Sequence, residues 1–412
     1  MDQVPSMRSQ SSISRRARQG TVLLALIAIG CAVVCACGSS EPGNAAFAAP
    51  ASAVFSGSWK VQKSPSAGGA DDQNLLDGVA ATSAASAWAV GNYSSAAAAR
   101  TLVEHWNGTA WKLQNSPNPA GASNINKLLG VAATSASDAW AVGYYGNGTA
   151  GGTLVEHWNG TAWTVQNSPS PGGANKGHLL DGVAATSATS AWAVGAYDTA
   201  GRTLVEHWNG TAWTVQNSPN PGGSGNKNFL YGVAATSATN AWAVGYYTNG
   251  TTDRTLIEHW NGTAWTVQKT PNPGGANNDN GLYGVAATSA TSAWAVGYYG
   301  NGTTDRTLIE HWNGTAWTVQ KTPNLGGSSQ DNDLHAVVAT SATSAWAVGY
   351  YGNGTTDRTL IEHWNGTAST VQKSPNPTHY EDLHGVAATS AGDAWAVGSQ
   401  GTEGRTLIEH RS

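Results

Sequence analysis

Apolar and polar positions alternate with a period of two in short runs along this chain, and the same four runs recur in the same order. LxGVAATSA, SAWAVGYY, RTLIEHW and AWTVQ are rich in β-formers and bounded by Gly, Asn, Ser or Pro, which predicts four strands per unit, A to D. The tryptophan of AWAVG falls at Trp88, Trp140, Trp192, Trp242, Trp294, Trp346 and Trp395, at spacings of 52, 52, 50, 52, 52 and 49 residues. A period of that length built from short strands indicates a blade array rather than independent domains. Within AWAVG the alternation puts Trp88 and Val90 on one face and Ala87, Ala89 and Gly91 on the other. A bulky face can then lie on the flat face of the next blade.

The ends of the array predict how it closes. The seventh unit stops at Arg405-Thr-Leu-Ile-Glu-His410-Arg-Ser412, before its D strand, while Trp59-Lys-Val-Gln-Lys-Ser-Pro65 precedes the first unit and matches the missing segment. An open row would leave raw sheet edges, whereas a ring that borrows its last outer strand from the N-terminus leaves none unpaired there. The expected fold is all-β: a seven-bladed β-propeller of four-stranded blades over residues 55–412, closed by an N-terminal strand completing the last blade. Between C and D, Asn107-Gly108 predicts a two-residue hairpin turn, pairing Trp106 with Thr109 and Glu104 with Trp111.

Residues 1–36 read as a signal peptide: Arg8, Arg15, Arg16 and Arg18 precede an uncharged apolar run from Thr21 to Ala36, short for a spanning helix. Val34-Cys-Ala-Cys37-Gly-Ser-Ser resembles a bacterial lipobox, with Cys37 as the lipidated residue; Ala28-Ile-Gly-Cys31 is a competing match. A plain secretory cut after Ala48 or Ala53 is the alternative. Residues 37–54 are a flexible linker of small residues. The expected location is outside the cell: the outer face of the cytoplasmic membrane as a lipoprotein, or secreted.

Charged residues are only 11% of the chain and Gly is 51 of 412, which suits stacked sheets and turns. Residues 1–36 hold four Arg and one Asp, so the formal charge of −5 becomes −8 for residues 37–412. That balance carries no electrostatic footprint for nucleic acid. All three cysteines, Cys31, Cys35 and Cys37, lie in or beside the leader, which excludes structural disulfides and thiol catalysis in the repeats.

GVAATSATSAWAVG followed by a strand and then WNGTAW resembles secreted bacterial propellers of the Asp-box (BNR-like) kind and of the photosystem-assembly-factor kind, over all seven units. Gly108 and Trp111 match the Asp-box spacing, but Trp106 stands where its aspartate would be and Glu104 where its serine would be. The resemblance implies the fold and no sialidase chemistry.

Repeated polar features read as structure. The Glu-His pairs, from Glu104-His105 to Glu409-His410, occur in every blade, and seven copies of one acid–base site make less sense than a polar pair fixing strand register. The 19 tryptophans sit at fixed strand positions and read as packing, and Asn-Gly-Thr at Asn107, Asn159 and Asn209 reads as turn chemistry.

Function is expected where copies differ. TSATSA and WNGT barely change, while the D-to-A and B-to-C loops vary, and these share one face of a propeller. That face carries candidate ligand-binding residues Tyr145, Tyr197, Tyr247, Tyr299 and Tyr351 with Arg254, Arg306 and Arg358, beside the further tyrosines Tyr144, Tyr246, Tyr298 and Tyr350. The alternative for them is solvated loops with tyrosines capping strand ends. Just before the strand A glycine or its equivalent, Asp77, Leu129, Asp181, Tyr231, Tyr283, His335 and His384 form a ring at the channel mouth. His335, His384 and Asp77 come from blades six, seven and one and have the donor types for a divalent metal. The plainer reading is polar residues beside a wet channel, so no metal, cofactor or catalytic residue is assigned.

The function expected from the sequence is therefore not enzymatic: a binding module, as a monomer, for a protein or carbohydrate at the cell envelope, touching membrane only through its N-terminal anchor. The alternative is a hydrolase or lyase at the channel mouth, with or without a metal, and a third reading is a structural array without a specific ligand.

Overall fold

The computed structural model describes residues 57–68, 72–95, 98–146, 151–173, 177–198 and 201–412. The expected signal peptide, the expected linker and the candidate lipidation site Cys37 lie outside the described residues. Gly57–Ser412 forms one compact unit, and its regular elements are all strands. No helix among the described residues is long and apolar enough to cross a membrane.

Each repeat is an antiparallel meander. In the first, Gln73–Ser83 pairs with Ser86–Ser95, that strand with Ala98–Trp106, and the last with Trp111–Leu113. Among the described strands there are five four-stranded sheets and one of eight; the latter is two repeats joined by a single parallel bridge, Ala99 to Ile125. The N-terminal Trp59–Val61 pairs antiparallel with Arg405–Arg411, Trp59 opposite Arg411 and Val61 opposite Glu409. The outermost strands are three or four residues long, short enough to give foreign strands little to pair with.

The packing follows the alternation in AWAVG. Trp88 and Val90 of one repeat lie in one buried cluster with Ala139, Ala141, Leu128 and Trp163 of the next. The flat alanine face admits the indole, and Trp163 meets Trp88 edge-on at 5.2 Å. The ends obey the same rule: Leu76 and Val79 of the first repeat are buried with Trp395, Val397 and Ile408 of the last. Trp59 takes the outer-strand place against Trp346, edge-on at 5.5 Å, and the Arg411 guanidinium covers the same ring at 5.1 Å.

The turn after strand C differs from the two-residue expectation. Trp106 pairs with Trp111 and Glu104 with Leu113, so four residues, Asn107 to Ala110, make the turn. Asn107 Oδ1 accepts from the amides of Thr109 and Ala110, and Gly108 sits at φ 90°. The asparagine side chain satisfies the turn amides, so only the glycine needs a positive φ.

The Glu-His pairs do not bond each other. His105 stacks on Trp88 at 4.1 Å and faces Ser86 Oγ through Nε2 at 3.3 Å, while Glu104 is fully buried on the other side of the strand. Its partner is a hydroxyl from the neighbouring repeat: Ser64 donates to Glu104 at 2.8 Å, Ser116 to Glu156 at 2.8 Å and Thr270 to Glu310 at 2.6 Å. Burial pushes Glu104, Glu156, Glu206, Glu258, Glu310 and Glu409 up to about 8, against the hydroxyl bonds that lower them. Glu362, with two hydroxyl donors, is raised only to about 7. Burial thus favours the neutral form of these carboxyls, least at Glu362, and they act as structural pegs between repeats.

Candidate functional site at the channel mouth

A β-bulge in strand A of every repeat builds the mouth of the channel. In the first, Leu76 pairs with Gly91 and Gly78 with Val90, leaving Asp77 as the extra residue. A Cβ on Gly91 would come within 2.0 Å of the Leu75 carbonyl, so the closing glycine of AWAVG is what lets the strands meet at the bulge. The same shift occurs at Leu129, Asp181, Tyr231, Tyr283, His335 and His384. The sequence-predicted ring is thus seven bulged residues, each re-aimed out of the ladder. All seven are buried, at 1–6% exposure, so the mouth is packed rather than open.

The ring divides into two chemistries. Tyr231, Tyr246, Tyr283 and Tyr298 form one buried aromatic cluster with Phe229 against it. Tyr246 and Tyr298, expected on the outer loop surface, instead lie inside this cluster, Tyr246 against Tyr231 at 5.9 Å and Tyr298 against Tyr283 at 5.6 Å, and Tyr350 is buried with its hydroxyl donating to Asp333 Oδ2 at 3.3 Å. Burial first, then the neighbouring phenols and Asp181, raises the Tyr231 phenol well above its ordinary value.

The other side is ionic. His335 Nδ1 lies 3.2 Å from Asp382 Oδ1, His384 Nε2 lies 3.4 Å from Asp382 Oδ2, and His384 Nδ1 lies 3.5 Å from Asp77 Oδ1. His384 Nδ1 also faces the Leu76 carbonyl at 3.1 Å and His335 Nδ1 the Leu383 carbonyl at 3.2 Å. Burial disfavours the His384 imidazolium, but the Asp382 and Asp77 carboxylates outweigh it and push its pKa up to about 10. Burial likewise opposes ionisation of Asp382, and the two imidazoles overcome it, holding this carboxyl far below its usual range.

The donor group expected from sequence, His335, His384 and Asp77, is therefore corrected: the carboxylate standing between both imidazoles is Asp382, and Asp77 touches His384 alone. The pattern of the repeats could have shown it. Strand A carries Leu75, Leu179 and Phe229 two residues before the bulge, and only Asp333 and Asp382 put a carboxylate there.

The candidate loop-face residues lie elsewhere, between repeats and on the loops. Tyr145, Tyr197, Tyr247, Tyr299 and Tyr351 are half-buried, each packed against the core cluster between its own repeat and the one before. The arginines are engaged with loop backbone: Arg254 donates to the carbonyls of Gly275 and Ala276, Arg306 to Gly327 and Ser328, and Arg358 to Thr378, with Glu381 at 3.5 Å. They clamp the D-to-A loops from outside.

A second set clamps those loops from inside, and the sequence reading missed it. Asn74, Asn126, Asn228, Asn280 and Asn332, all buried, accept from the amides of Ala67, Ala120, Gly222, Gly274 and Leu325 at 2.7–2.9 Å. His178 Nε2 on the Pro171 carbonyl and Glu381 on the Thr378 amide fill the same place in the other two repeats. An asparagine fixed three residues before the bulge, amid loops that otherwise vary, was the available signal. In the last repeat the loops leave a cleft lined by His379, Tyr380, Gln400, Glu403 and Arg405.

No family model matches this chain, and no curated protein matches it. Solved structures of similar shape do. YCF48 bound to D1 peptide is 13% identical with a TM-score of 0.54, covering 86% of this chain and 95% of that one. YCF48 from Cyanidioschyzon merolae is 13% identical at a TM-score of 0.53, over 86% and 98%. The RRP9 WD40 repeats are 10% identical at a TM-score of 0.56, over 86% and 97%. The chain is a β-propeller repeat protein. At these identities the likeness is one of fold, in keeping with the resemblance read from the repeats.

Proposed function

We propose that this chain is an exported, lipid-anchored propeller of seven blades that binds a protein or glycan at the cell envelope through its variable loop face, and that it is not an enzyme. The observation that carries this reading is the double clamp on loops of differing sequence. Buried asparagines hold them from within and Arg254, Arg306 and Arg358 from without. Ordering the loops in advance removes an entropic cost from binding, which a merely structural array has no need to do. A propeller of this shape that holds a peptide, YCF48 with the D1 peptide, supports a peptide as one class of ligand. The Glu-His pairs, with neutral buried carboxyls turned away from their histidines, contribute no acid–base couple to an active site.

The test is affinity capture from an envelope fraction and a glycan array, with the full chain and a variant whose loops 273–279 and 325–331 are exchanged for that of the third repeat. Loss of the captured ligand at unchanged melting temperature is expected. Capture that survives this exchange but fails when the opposite TSATSA and WNGT turns are altered would move the binding face to the other side of the ring.

A further inference from the structure

We propose that His335, Asp382 and His384 form a binding site for one divalent cation of the zinc type, at the junction of the sixth and seventh repeats. One ligand atom from each of the three residues lies within 4.8 Å of the other two. Each imidazole presents a nitrogen to a different oxygen of Asp382, His335 Nδ1 at 3.2 Å from Oδ1 and His384 Nε2 at 3.4 Å from Oδ2, separations of the size found between donors on one tetrahedral ion. Ligands about 2.0–2.1 Å from a tetrahedral metal are about 3.3 Å from each other.

The surroundings fit the same role. Metal-bound histidines usually turn their second nitrogen onto a carbonyl or carboxylate, which fixes the ring and its tautomer. His384 does this: Nδ1 faces the Leu76 carbonyl at 3.1 Å and Asp77 at 3.5 Å, leaving Nε2 toward Asp382. His335 differs, since its Nδ1 faces both Asp382 and the Leu383 carbonyl at 3.2 Å and must give up any proton on that nitrogen to bind the ion. Both histidines are bulged residues whose backbones are fixed by flanking ladder pairs, Leu334 with Gly349 and Leu383 with Gly398. Charge also balances, since the carboxylates of Asp77 and Asp382 offset a dication once both imidazoles are neutral. The cation takes the place of the protons shared among these groups, and its binding releases them. Two imidazoles with one carboxylate favour zinc or a neighbouring transition metal over magnesium or calcium, which seek oxygen-rich sets. Three protein ligands leave a fourth position for water or a ligand group.

The experiment is calorimetric titration of zinc chloride into the metal-free full chain carrying Cys31→Ser, Cys35→Ser and Cys37→Ser, which removes thiolate competitors in the leader. One saturable equivalent is expected, with a raised melting temperature and no comparable binding of magnesium. Asp382→Asn and His384→Gln should each weaken it by at least about tenfold. His379→Gln, which removes an exposed histidine, should leave it unchanged. X-ray absorption of the zinc-loaded unsubstituted site should show two imidazoles and no sulfur, a readout that survives if the variants fail to fold. Absence of a saturable equivalent, binding that persists in both variants, or a metal shell without imidazole would each overturn the assignment.

Discussion

Ser64 Oγ donates to Glu104 Oε1 at 2.8 Å and lies 2.7 Å from Thr406 Oγ1, so one hydroxyl from the N-terminal segment reaches both the first and the last repeat. The bond is the first of a series at the junctions between repeats, carried by the Ser or Thr that precedes proline after each D strand: Ser168 to Glu206, Ser218 to Glu258, Thr322 to Glu362 and Ser374 to Glu409 continue it. The junction that closes the ring is thus built like the internal ones. Replacing Ser218 with Ala strands a buried carboxyl and should cost about 1–3 kcal/mol. Ser64→Ala should cost a similar amount. Urea denaturation of the two variants checks this, and a loss of a few tenths in both would show that the pegs contribute nothing.

Closure by the N-terminal strand rests on Trp59, which is buried and meets Trp346 edge-on. Trp59→Ala should destabilise the protein by about 3–5 kcal/mol. Deleting residues 57–65 should in addition expose the edge of Arg405–Arg411 and produce dimers or larger species on size exclusion. A truncated chain that stayed monomeric with its melting temperature intact would mean that the strand is dispensable.

The sixth repeat lacks the outer-strand tryptophan: Ser369 stands where the others have Trp111, Trp163, Trp213, Trp265 and Trp317, and its hydroxyl bonds Glu362 at 2.5 Å. A gap lined by Trp294, Ala345, Ala347 and Trp364 remains beside it. Ser369→Trp should fill that gap and raise stability by about 1–2 kcal/mol, the reverse of a large-to-small change less the lost hydrogen bond. Thermal denaturation measures the gain; a fall would indicate that the neighbouring repeats have closed onto the serine.

The buried glutamates make stability depend on pH with a definite sign. A carboxyl held neutral to about 8 when folded ionises near 4.3 when unfolded, so its contribution is full below that value and lost as pH rises toward 8. The histidines oppose this on the acid side. Burial, with Arg411 adding to it, pushes His363 down to about 4, so its contribution is lost as pH falls from 6.5. Seven glutamates outweigh the histidines, so the melting temperature should be highest at about pH 4–5 and fall steadily to about pH 8. Glu258→Gln, which keeps the shape without the ionisation, should shallow the alkaline limb; an unchanged slope would show that other groups set it.

Attachment is tested at Cys37. Cys37→Ser should release the protein from the membrane fraction if the lipobox reading holds, and Cys31→Ser should not. Release by Cys31→Ser alone would place the cut six residues earlier, and release by neither would leave secretion or an uncleaved segment.

The sequence by itself determined the frame. The period of AWAVG, the alternation within it and the displaced Trp59-Lys-Val-Gln segment fixed the strands, the packing of tryptophan on alanine and the closing pair. These are local or exactly repeated, so each copy states the same packing rule and seven copies remove the ambiguity of one. The ring of bulged residues was legible for the same reason, as a variable position directly before the repeated glycine of strand A or its equivalent. What only the tertiary structure decided were relations between copies. Ser64 and Glu104 meet because adjacent repeats interleave, and nothing in either local pattern names the other. Asp382 displaced Asp77 as the carboxylate between the histidines because it stands two residues before His384 on the same strand and reaches His335 of the repeat before, whereas Asp77 lies on the first repeat and reaches His384 only. Tyr246 and Tyr298 turned inward because strand B faces the aromatic bulge residues of strand A there, and burying their rings together removes more apolar surface from water than leaving them on the loops.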